Sequence, residues 1–435
     1  MSVMAQATYP GSRSAAAFLT LLILIMMLGY IDRQIIVFLI DPIKASFALS
    51  DTQIGLVQGF SATLFIAITA LPFGWALDRW NRRNILACCM VGWACMTVLT
   101  GLARNFEQFF LTRVGLGIAE ACLYPAAISL VADLFPPEKR ATANLFMIGG
   151  ANVTIMAAFT TCGLLVDHVQ DFAAFLPFLP ADLAPWRLSF IIVALPVPLA
   201  AILLMLMREP SRQGYATKET GRREANDFLP HLIREWRILI LYPFALGLAV
   251  LALDGVLQWL PTALSRGFGM QAGDIGSRIG TAAAAGALLA PFLANFAYRK
   301  LKAHRQTAPE IRVMAGATAF ALLPVALLAI IQSPVYAVSA FALLGLSICV
   351  TTSYNFYVLQ KVVPGSLRGR FTAFAIIVRT LLTGGGVWMI GYLSDHYFPT
   401  GTGLLTSMTA VATCSLILSV GVFVYVLKVG RIQTT

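Results

Sequence analysis

The residues with the greatest chemical potential in this sequence are charges placed inside long apolar runs: Asp32, Arg33, Arg113, Glu120, Asp254 and Arg379. A charge at bilayer depth costs at least ~2.5–3.5 kcal/mol on insertion scales, so such a residue is by default a functional candidate. The four histidines lie at or beyond the ends of the apolar runs. Buried proton chemistry must therefore use carboxyl groups.

The charges of the first half of the chain have a spacing that predicts two pairs. Asp32 and Arg33 are adjacent, so they point about 100° apart on a helix and need different partners. Arg113 and Glu120 are seven positions apart and share one helical face. We therefore expect Asp32 to pair with Arg113, and Arg33 to reach toward Glu120.

The second of these pairs could carry a proton. A carboxyl group in a low-dielectric cavity favours its neutral form, and a nearby guanidinium favours the ionised form. Glu120 would then gain or lose a proton as Arg33 moves away or close. The alternative is that all four charges only hold two helices together in every state.

The remaining candidates are assigned to substrate binding. Arg379 could receive an anionic headgroup through its forked donors, or it could instead satisfy helix carbonyls or Asp254. Tyr124 lies one turn beyond Glu120. Aromatic residues at helical spacing more often pack than bind, yet hydroxyl and amide groups can line a cavity. The predicted substrate site is Arg33, Glu120, Tyr124, Asp254, Tyr354, Asn355, Tyr357 and Arg379.

The elements that position these residues are membrane-spanning helices. The chain is 58% hydrophobic and only 12% charged, which excludes an ordinary soluble protein. A spanning helix needs ~20 apolar residues, and continuous windows of that length indicate helices rather than a barrel. Twelve helices are predicted, at about 16–40, 53–77, 85–103, 107–132, 143–166, 188–207, 238–262, 275–298, 313–332, 335–362, 370–394 and 402–428.

The basic residues predict the orientation of these helices. Of the 31 lysines and arginines, 23 fall in the even-numbered loops and the termini, whereas five fall on the opposite side. The positive-inside rule therefore places both termini in the cytoplasm. The net charge of +11 is then a topology signal that faces anionic lipid headgroups, and we expect no nucleic-acid partner.

The chain divides into two repeated halves. One long polar stretch separates six helices from six, which gives an N-terminal half at 1–207, a cytoplasmic linker at 208–237 with a surface helix near Arg222–Arg237, and a C-terminal half at 238–435. Pro136-x-x-x-Arg140 recurs as Pro364-x-x-x-Arg368, 228 positions later. Six-plus-six halves of one orientation are used by alternating-access transporters, with the site at the interface between the halves.

A cytoplasmic motif between the second and third helices gives the first resemblance to a known family. Gly74-x-x-x-Asp78-Arg79-x-x-Arg82-Arg83 resembles the signature of the major facilitator superfamily, with Asn81 where the family usually has glycine. The resemblance implies that the glycine lets two helices approach closely and that the aspartate accepts hydrogen bonds from a neighbouring helix terminus. The predicted cytoplasmic gate is Gly74, Asp78, Arg79, Arg82, Arg140 and Arg368, although a permanent loop anchor is the alternative.

Within that superfamily the first half is similar to the spinster-like lipid transporters. The residues that carry the similarity are Tyr30-Ile31-Asp32-Arg33-Gln34, Gly55-Leu56-Val57-Gln58-x-Phe60 and the run from Arg113 to Ala121. Anion symporters share the first of these runs. The resemblance implies proton coupling through Glu120 and a lysophospholipid or sphingosine-phosphate-like substrate.

These observations favour a proton-coupled secondary transporter over an enzyme or a channel. The sequence has no Walker phosphate loop, no GxSxG and no HExxH, and its buried charges do not repeat as rings around an axis. We expect no metal and no cofactor other than protons, membrane lipids as partners, a monomer, and a multi-pass protein of a bacterial inner membrane. The alternative substrate is a small organic anion or a drug.

Overall fold

The structure, a computed structural model, describes residues 9–175, 183–212, 232–304, 306–330, 333–363, 367–398 and 402–429. Some side chains within those ranges are not described: 137, 138, 140–142, 144–146, 148–153, 356, 360, 362, 368 and 369. The described part of the chain consists of helices and contains no strand. This confirms the predicted all-α class.

The first half has eleven described α-helices: α1 Ser12–Ile35, α2 Ile40–Phe47, α3 Asp51–Leu56, α4 Thr63–Arg79, α5 Arg82–Leu102, α6 Phe106–Glu120, α7 Leu123–Leu134, α8 Pro137–Asp167, α9 Val169–Ala174, α10 Pro185–Ala194 and α11 Pro196–Leu206. A 3-10 turn, Ile36–Phe38, follows α1, and a π turn, Val57–Ser61, joins α3 to α4.

The second half has eight described α-helices: α12 Trp236–Leu239, α13 Leu241–Phe268, α14 Ala272–Ala303, α15 Pro309–Leu327, α16 Pro334–Ser353, α17 Asn355–Val362, α18 Arg368–His396 and α19 Gly403–Val429. The surface helix predicted near Arg222–Arg237 falls mostly outside the described residues.

Eleven helical stretches of the described chain are long and apolar enough to cross a membrane, and α8 contains a shorter apolar stretch, Thr154–Asp167. The multi-pass membrane fold is therefore confirmed. The count of twelve spans and the cytoplasmic placement of the termini stay predictions.

The chain packs as two compact units. The first unit consists of Met1–Leu39 and Phe65–Lys218, and the second unit consists of Ile40–Leu64 and Glu219–Thr435. In the first unit, buried residues of α1, α5, α7 and α11 form one apolar core. In the second unit, buried residues of α13, α15, α17 and α19 form an apolar cluster. The division at residues 208–237 predicted from the sequence stays a prediction.

Within the second unit, α3 and the π turn after it lie directly against the backbone of α18. A Cβ atom added to Gly59 would lie 2.3 Å from the Gly384 carbonyl oxygen, and one added to Gly391 would lie 2.2 Å from the Asp51 carbonyl oxygen. Only glycine permits such an approach of two helix backbones. This packing fixes the start of the second predicted span onto the second unit.

Candidate functional site

Asp32 of α1 is a buried charge with several hydrogen-bond partners. Its carboxylate is fully buried and accepts hydrogen bonds from Trp93 Nε1 and Thr97 Oγ1 of α5. It also accepts a hydrogen bond from Arg113 Nη1 of α6 at 3.5 Å. The predicted pair of Asp32 and Arg113 is therefore present, and it joins α1 to both neighbouring helices.

Glu120 of α6 has a different environment. Its Oε2 atom is 3.1 Å from Arg33 Nε, so the second predicted pair is also present. The N–H of Arg33 does not point at the carboxylate, however, and both Glu120 oxygens are buried without a hydrogen bond from any described residue. The contact is therefore purely electrostatic. A carboxylate buried in this way lacks the hydrogen bonds that normally compensate for its lost hydration.

Arg33 is the solvent-accessible member of the pair with Glu120. Its side chain is 30% exposed, whereas that of Glu120 is 1% exposed. The neighbouring Tyr124 is 49% exposed. The pair therefore lies at the border between the packed interior of the first unit and an accessible surface.

Two local features of the sequence place Glu120 at this border. Helix α6 ends at Glu120 because Pro125, in the first turn of α7, has no N–H to donate to the carbonyl of Ala121. Gly29 of α1 faces the carboxyl group: an added Cβ would lie 3.7 Å from Glu120 Oε1 and 3.3 Å from Leu123 Cδ2. The glycine leaves room for the carboxyl group beside α1.

In the second unit, Asp254 of α13 is partly buried and Arg379 of α18 is exposed. The guanidinium is near enough to act electrostatically on the carboxyl group, yet among the described residues neither side chain has an ion pair within 4.0 Å or a hydrogen bond. The two opposite charges therefore do not close on each other.

The other predicted substrate residues form a separate cluster in the second unit. The ring of Tyr354 stacks on Tyr298 with 5.3 Å between centroids. The ammonium of Lys361 lies 4.6 Å from the centroid of the Tyr357 ring and 2.8 Å from Glu310 Oε1. These tyrosines lie beside an ion pair between α15 and α17 in which Glu310 is buried and Lys361 is exposed.

Asn355 is also engaged inside the second unit. Its Oδ1 atom accepts a hydrogen bond from the Tyr242 hydroxyl group at 3.2 Å. The roles assigned to Tyr354, Asn355 and Tyr357 in substrate binding stay predictions.

Arg82 is the centre of the predicted cytoplasmic gate. It is buried, and its guanidinium donates to Asp133 Oδ2 at 2.5 Å and to Glu209 Oε1 at 3.1 Å. Asp78 is exposed, and its backbone carbonyl accepts a hydrogen bond from Arg212. Within the first unit, these contacts anchor the start of α5 and the end of α4 to the stretch that follows α11.

Two other residues of the predicted gate, Arg79 and Gly74, form no such contact with the described part of the chain. Arg79 is exposed and lies 4.1 Å from the centroid of the Trp75 ring. No described atom lies within 4 Å of the position of a Cβ at Gly74, so the expected close approach of two helices is not seen among the described residues. The side chains of Arg140 and Arg368 lie outside the described residues. The gating role of this group stays a prediction.

The ion pair of Arg82 and Asp133 in the first unit has a counterpart in the second unit, the pair of Glu310 and Lys361. The two pairs occupy equivalent positions of the internal repeat, with the charges reversed. Arg82 and Asp133 are 51 positions apart, as are Glu310 and Lys361. Each member of the second pair follows its counterpart by 228 positions, the interval already seen between the proline motifs. The sequence analysis did not identify Asp133, Glu310 or Lys361 as members of ion pairs. The 228-residue interval is the signal that could have found them, because it relates the two pairs.

A further charge cluster, which we call the Asp51 cluster, consists of Asp41, Lys44, Asp51, Arg266 and Asp395. Arg266 donates to Asp41 Oδ1 and to Asp51 Oδ2, each at 2.8 Å, and Lys44 also contacts Asp51. Asp395 accepts the first two backbone N–H groups of α3, at 3.0 and 2.7 Å. Sequence reasoning missed this cluster because Lys44 and Arg266 count only as topology signals in the positive-inside rule.

Comparison with known proteins relates the chain to a family of transporters. The profile of the Major Facilitator Superfamily matches residues 22–387. An MFS-type efflux pump of Mycolicibacterium smegmatis is 27% identical over 399 residues, which cover 88% of this chain and 86% of the pump. The cis,cis-muconate transport protein of Acinetobacter baylyi is 26% identical over 274 residues, 61% of this chain and 62% of that protein.

Among solved structures, the fold is similar to that of a bacterial homolog to the human lysosomal transporter Spinster in an inward-facing and occupied conformation. The TM-score is 0.79 at 24% sequence identity, over 95% of this chain and 97% of that chain.

Proposed function

Because the chain belongs to the Major Facilitator Superfamily, we propose that it is a proton-coupled secondary transporter of an amphiphilic anionic lipid, of the lysophospholipid or sphingosine-phosphate type, that works by alternating access. It is a multi-pass integral membrane protein, of the kind found in bacterial plasma membranes, and not an enzyme. Protons are the coupling ion in this proposal.

The observation that carries the proposal is the unbonded carboxyl group of Glu120, 3.1 Å from the partly exposed Arg33. A buried carboxylate without hydrogen bonds depends on nearby guanidinium groups for its charge, and Arg33 is the one within 4 Å of Glu120. If Arg33 turns toward an anionic substrate, Glu120 loses that neighbour and takes up a proton. Substrate binding and protonation are then linked by the position of one side chain.

Asp32 and Arg113 have the supporting role in this scheme. The carboxylate of Asp32 is held by Trp93, Thr97 and Arg113, so α1 is fixed at the residue directly before Arg33. A fixed helix leaves the side chain of Arg33 as the moving part.

An apolar groove in the second unit supports an amphiphilic substrate. It has a volume of about 490 Å³ and is lined by residues of α13, α18 and α19, among them Leu248, Leu251, Leu381, Leu382, Gly386 and Met389. Its volume lies within the ~300–1,000 Å³ range of small-molecule sites. A hydrocarbon chain is the ligand that such a lining solvates best.

The test is uptake into proteoliposomes under an imposed pH gradient, comparing a labelled lysophospholipid with small organic acids. One pH unit corresponds to 1.36 kcal/mol per proton, so a one-to-one carrier should accumulate lysolipid about tenfold. Glu120→Gln should abolish this accumulation but keep exchange of lysolipid at equal pH. Glu107→Gln is the matched control, because Glu107 is exposed on the same helix, and it should behave as wild type.

Two results would contradict the proposal. Undiminished gradient-driven accumulation by Glu120→Gln would remove the proton switch. Accumulation of organic acids but not of lysolipid would remove the lipid assignment.

The second candidate is transport of a small organic anion or a drug. It is favoured by the names of two relatives that align over much of this chain, an efflux pump and a muconate transport protein. The same uptake assay, extended to muconate and to a cationic dye, separates this candidate from the first.

A further inference from the structure

The two buried carboxyl groups of the first unit differ in their hydrogen-bond donors. Asp32 lies 3.5 Å from a guanidinium nitrogen of Arg113. Glu120 lies 3.1 Å from a guanidinium nitrogen of Arg33. Asp32 also accepts hydrogen bonds from uncharged side chains, whereas Glu120 accepts none from any described residue. The counter-charges therefore do not distinguish the two groups, and the difference lies in the uncharged side chains around them.

Trp93 of α5 is a side chain that reaches both carboxyl groups. Its Nε1 atom, at one edge of the indole, donates to Asp32 Oδ2. At the other edge, Cη2 lies 3.6 Å from the position of a Cβ atom at Gly29, and Glu120 Oε1 lies 3.7 Å from the same position. One buried indole thus turns its N–H toward Asp32 and a hydrocarbon edge toward Glu120.

The donors around Asp32 oppose a proton on that carboxyl group. Trp93 Nε1 donates to Oδ2 and Arg113 Nη1 donates to Oδ1, so each oxygen faces a group that can donate but not accept. A neutral carboxyl group would place its own O–H against one of these donors, and hydrogen bonds to the ionised form favour that form. Glu120 accepts no such bond from a described residue, so it can take up a proton without losing one.

Thr97 differs from Trp93 in that it could accept the proton of Asp32. Its hydroxyl group donates to Asp32 Oδ2 and also lies 3.2 Å from the backbone carbonyl oxygen of Trp93. Because a hydroxyl group both donates and accepts, it could turn to that carbonyl and accept an O–H from Asp32. The indole N–H has no such alternative. Trp93 rather than Thr97 is therefore the group that opposes a proton on Oδ2.

The other titratable or charged side chains around the two carboxyl groups lie on α1, α5, α6, α7 and α8. They are Tyr30, Arg33, Cys89, Arg113, Cys122, Tyr124 and Cys162. The buried thiols of Cys122 and Cys162 donate to the backbone carbonyl groups of Ala119 and Ile31, at 3.9 and 3.4 Å. These two thiols therefore do not take the place of the indole as donors to Asp32.

We propose that Trp93 is a positioning residue that confines proton exchange in the first unit to Glu120, because its indole N–H keeps Asp32 ionised. The inference rests on the proposed function and adds to it the residue that limits the first unit to one exchanged proton. Without the indole N–H, Asp32 becomes a second proton acceptor. Its O–H then donates to Thr97 Oγ1, which donates in turn to the backbone carbonyl of residue 93.

The experiment detects neutral carboxyl groups by their C=O stretching bands in the infrared. Difference spectra of the purified full chain are recorded between about pH 5 and about pH 9, where exposed carboxyl groups are mostly ionised. Wild type should show a band that Glu120→Gln removes and that isotope-labelled aspartate does not shift. Trp93→Phe should add a band that labelled aspartate shifts, because Asp32 then binds a proton about tenfold or more tightly, the effect of one charge-assisted hydrogen bond.

Two variants separate this role from a merely structural one. Thr97→Val loses a hydrogen bond to the same oxygen of Asp32 but keeps the indole N–H, so it should add no aspartate band. Trp259→Phe is the matched control, because it removes a fully buried indole that donates to a backbone carbonyl in the second unit. Its spectrum should equal that of wild type.

Transport gives a second measurement of the number of protons. Proteoliposomes carry a tenfold gradient of labelled lysophospholipid at zero membrane potential, and the opposing pH gradient that stops net flux is determined. It should be about one pH unit for wild type and about half a pH unit for Trp93→Phe, because two protons then share the same free energy.

Several outcomes overturn the inference. These are an aspartate band in wild type that Asp32→Asn removes, equal new aspartate bands in Thr97→Val and Trp93→Phe, or no new band in a monodisperse Trp93→Phe protein. If Trp93→Phe does not fold, replacement of Trp93 by benzothienylalanine, which keeps the ring and loses only the N–H, decides.

The infrared measurement needs no substrate, so the inference and the proposed function fail separately. A wild-type aspartate band beside the Glu120 band contradicts the inference and leaves proton exchange at Glu120 standing. Absence of any band that Glu120→Gln removes contradicts both. The expected bands without uptake of lysophospholipid would contradict the lipid assignment and leave the role of Trp93 in place.

Discussion

Removing the charge of Asp32 should destabilise the first unit strongly. Asp32→Asn keeps the shape of the side chain, so Trp93 and Thr97 can still donate to its oxygen. The loss is the counter-charge of Arg113, whose side chain is only 4% exposed. An uncompensated buried charge typically costs about 3–5 kcal/mol. We expect the lower end, about 3 kcal/mol, because Glu120 also acts electrostatically on Arg113.

Two further variants separate the ion pair from the hydrogen bonds around it. Thr97→Val removes one hydrogen bond to a charged acceptor and should cost about 1.5–3 kcal/mol. The double variant Asp32→Asn with Arg113→Met removes both charges, so it should recover most of the loss and lie within about 1 kcal/mol of wild type. The free energy of unfolding is measured by titrating purified protein in mixed micelles with dodecyl sulfate.

This reasoning makes the coupling between the two positions the decisive quantity. If Asp32→Asn lowers the free energy of unfolding by less than about 1 kcal/mol, Arg113 does not depend on Asp32 as its buried counter-charge, and the reasoning is refuted. If the double variant is as unstable as the sum of the single variants, Asp32 and Arg113 act independently and do not join α1 to α6.

Three further predictions concern the second unit. Lys361→Met should destabilise the protein by about 1–2 kcal/mol because it leaves the buried Glu310 unpaired; the cost is below that of a fully buried pair because the Lys361 side chain is 39% exposed. Adding Glu310→Gln should restore most of the stability in the same unfolding assay. Arg266→Gln should lower the melting temperature in detergent and make it less sensitive to salt, because the Asp51 cluster loses its central cation; a melting temperature and salt dependence equal to wild type would contradict the role of the cluster. Gly391→Ala should cost about 1–3 kcal/mol by forcing two backbones apart, whereas Gly316→Ala, with no atom within 4 Å of its added Cβ, should stay within about 0.5 kcal/mol of wild type.

The sequence predicts the fold and the first-unit charges well because both depend on local spacing. The length of the apolar runs determines the spans, and the helical faces of Asp32, Arg33, Arg113 and Glu120 determine which charges can meet. The hydrogen-bond donors to Asp32 could not be predicted. Trp93 and Thr97 come from another helix, and their contact depends on how α5 slides and rotates against α1, which periodicity leaves open.

The features that the sequence did not predict also depend on how one helix packs against another. Gly74 was expected to mark a close approach of helices, yet a glycine alone does not say whether a partner helix is present. The close approaches lie instead at Gly59, Gly384 and Gly391. The proline at position 125 was visible in the sequence, but one proline can kink a helix or end it, and only the structure shows that α6 ends at the proton-switch candidate.

The internal repeat separates charges that the architecture requires from charges that it does not. At the helix ends, the pair of Arg82 and Asp133 and the pair of Glu310 and Lys361 occupy equivalent positions 228 residues apart, with opposite polarity. The repeat therefore preserves an ion pair at this place without preserving which partner is positive, as expected when the pair only joins one helix to another.

The mid-membrane charges do not follow this repeat. The positions 228 residues after Arg113 and Glu120 are Phe341 and Ile348, both buried and apolar. The position 228 residues before Arg379 is Ala151. Since each half folds without charges at the positions where the other half has them, packing of the common fold does not explain them. A role confined to one half, such as the proton exchange proposed for Glu120, is consistent with charges that the common fold does not require.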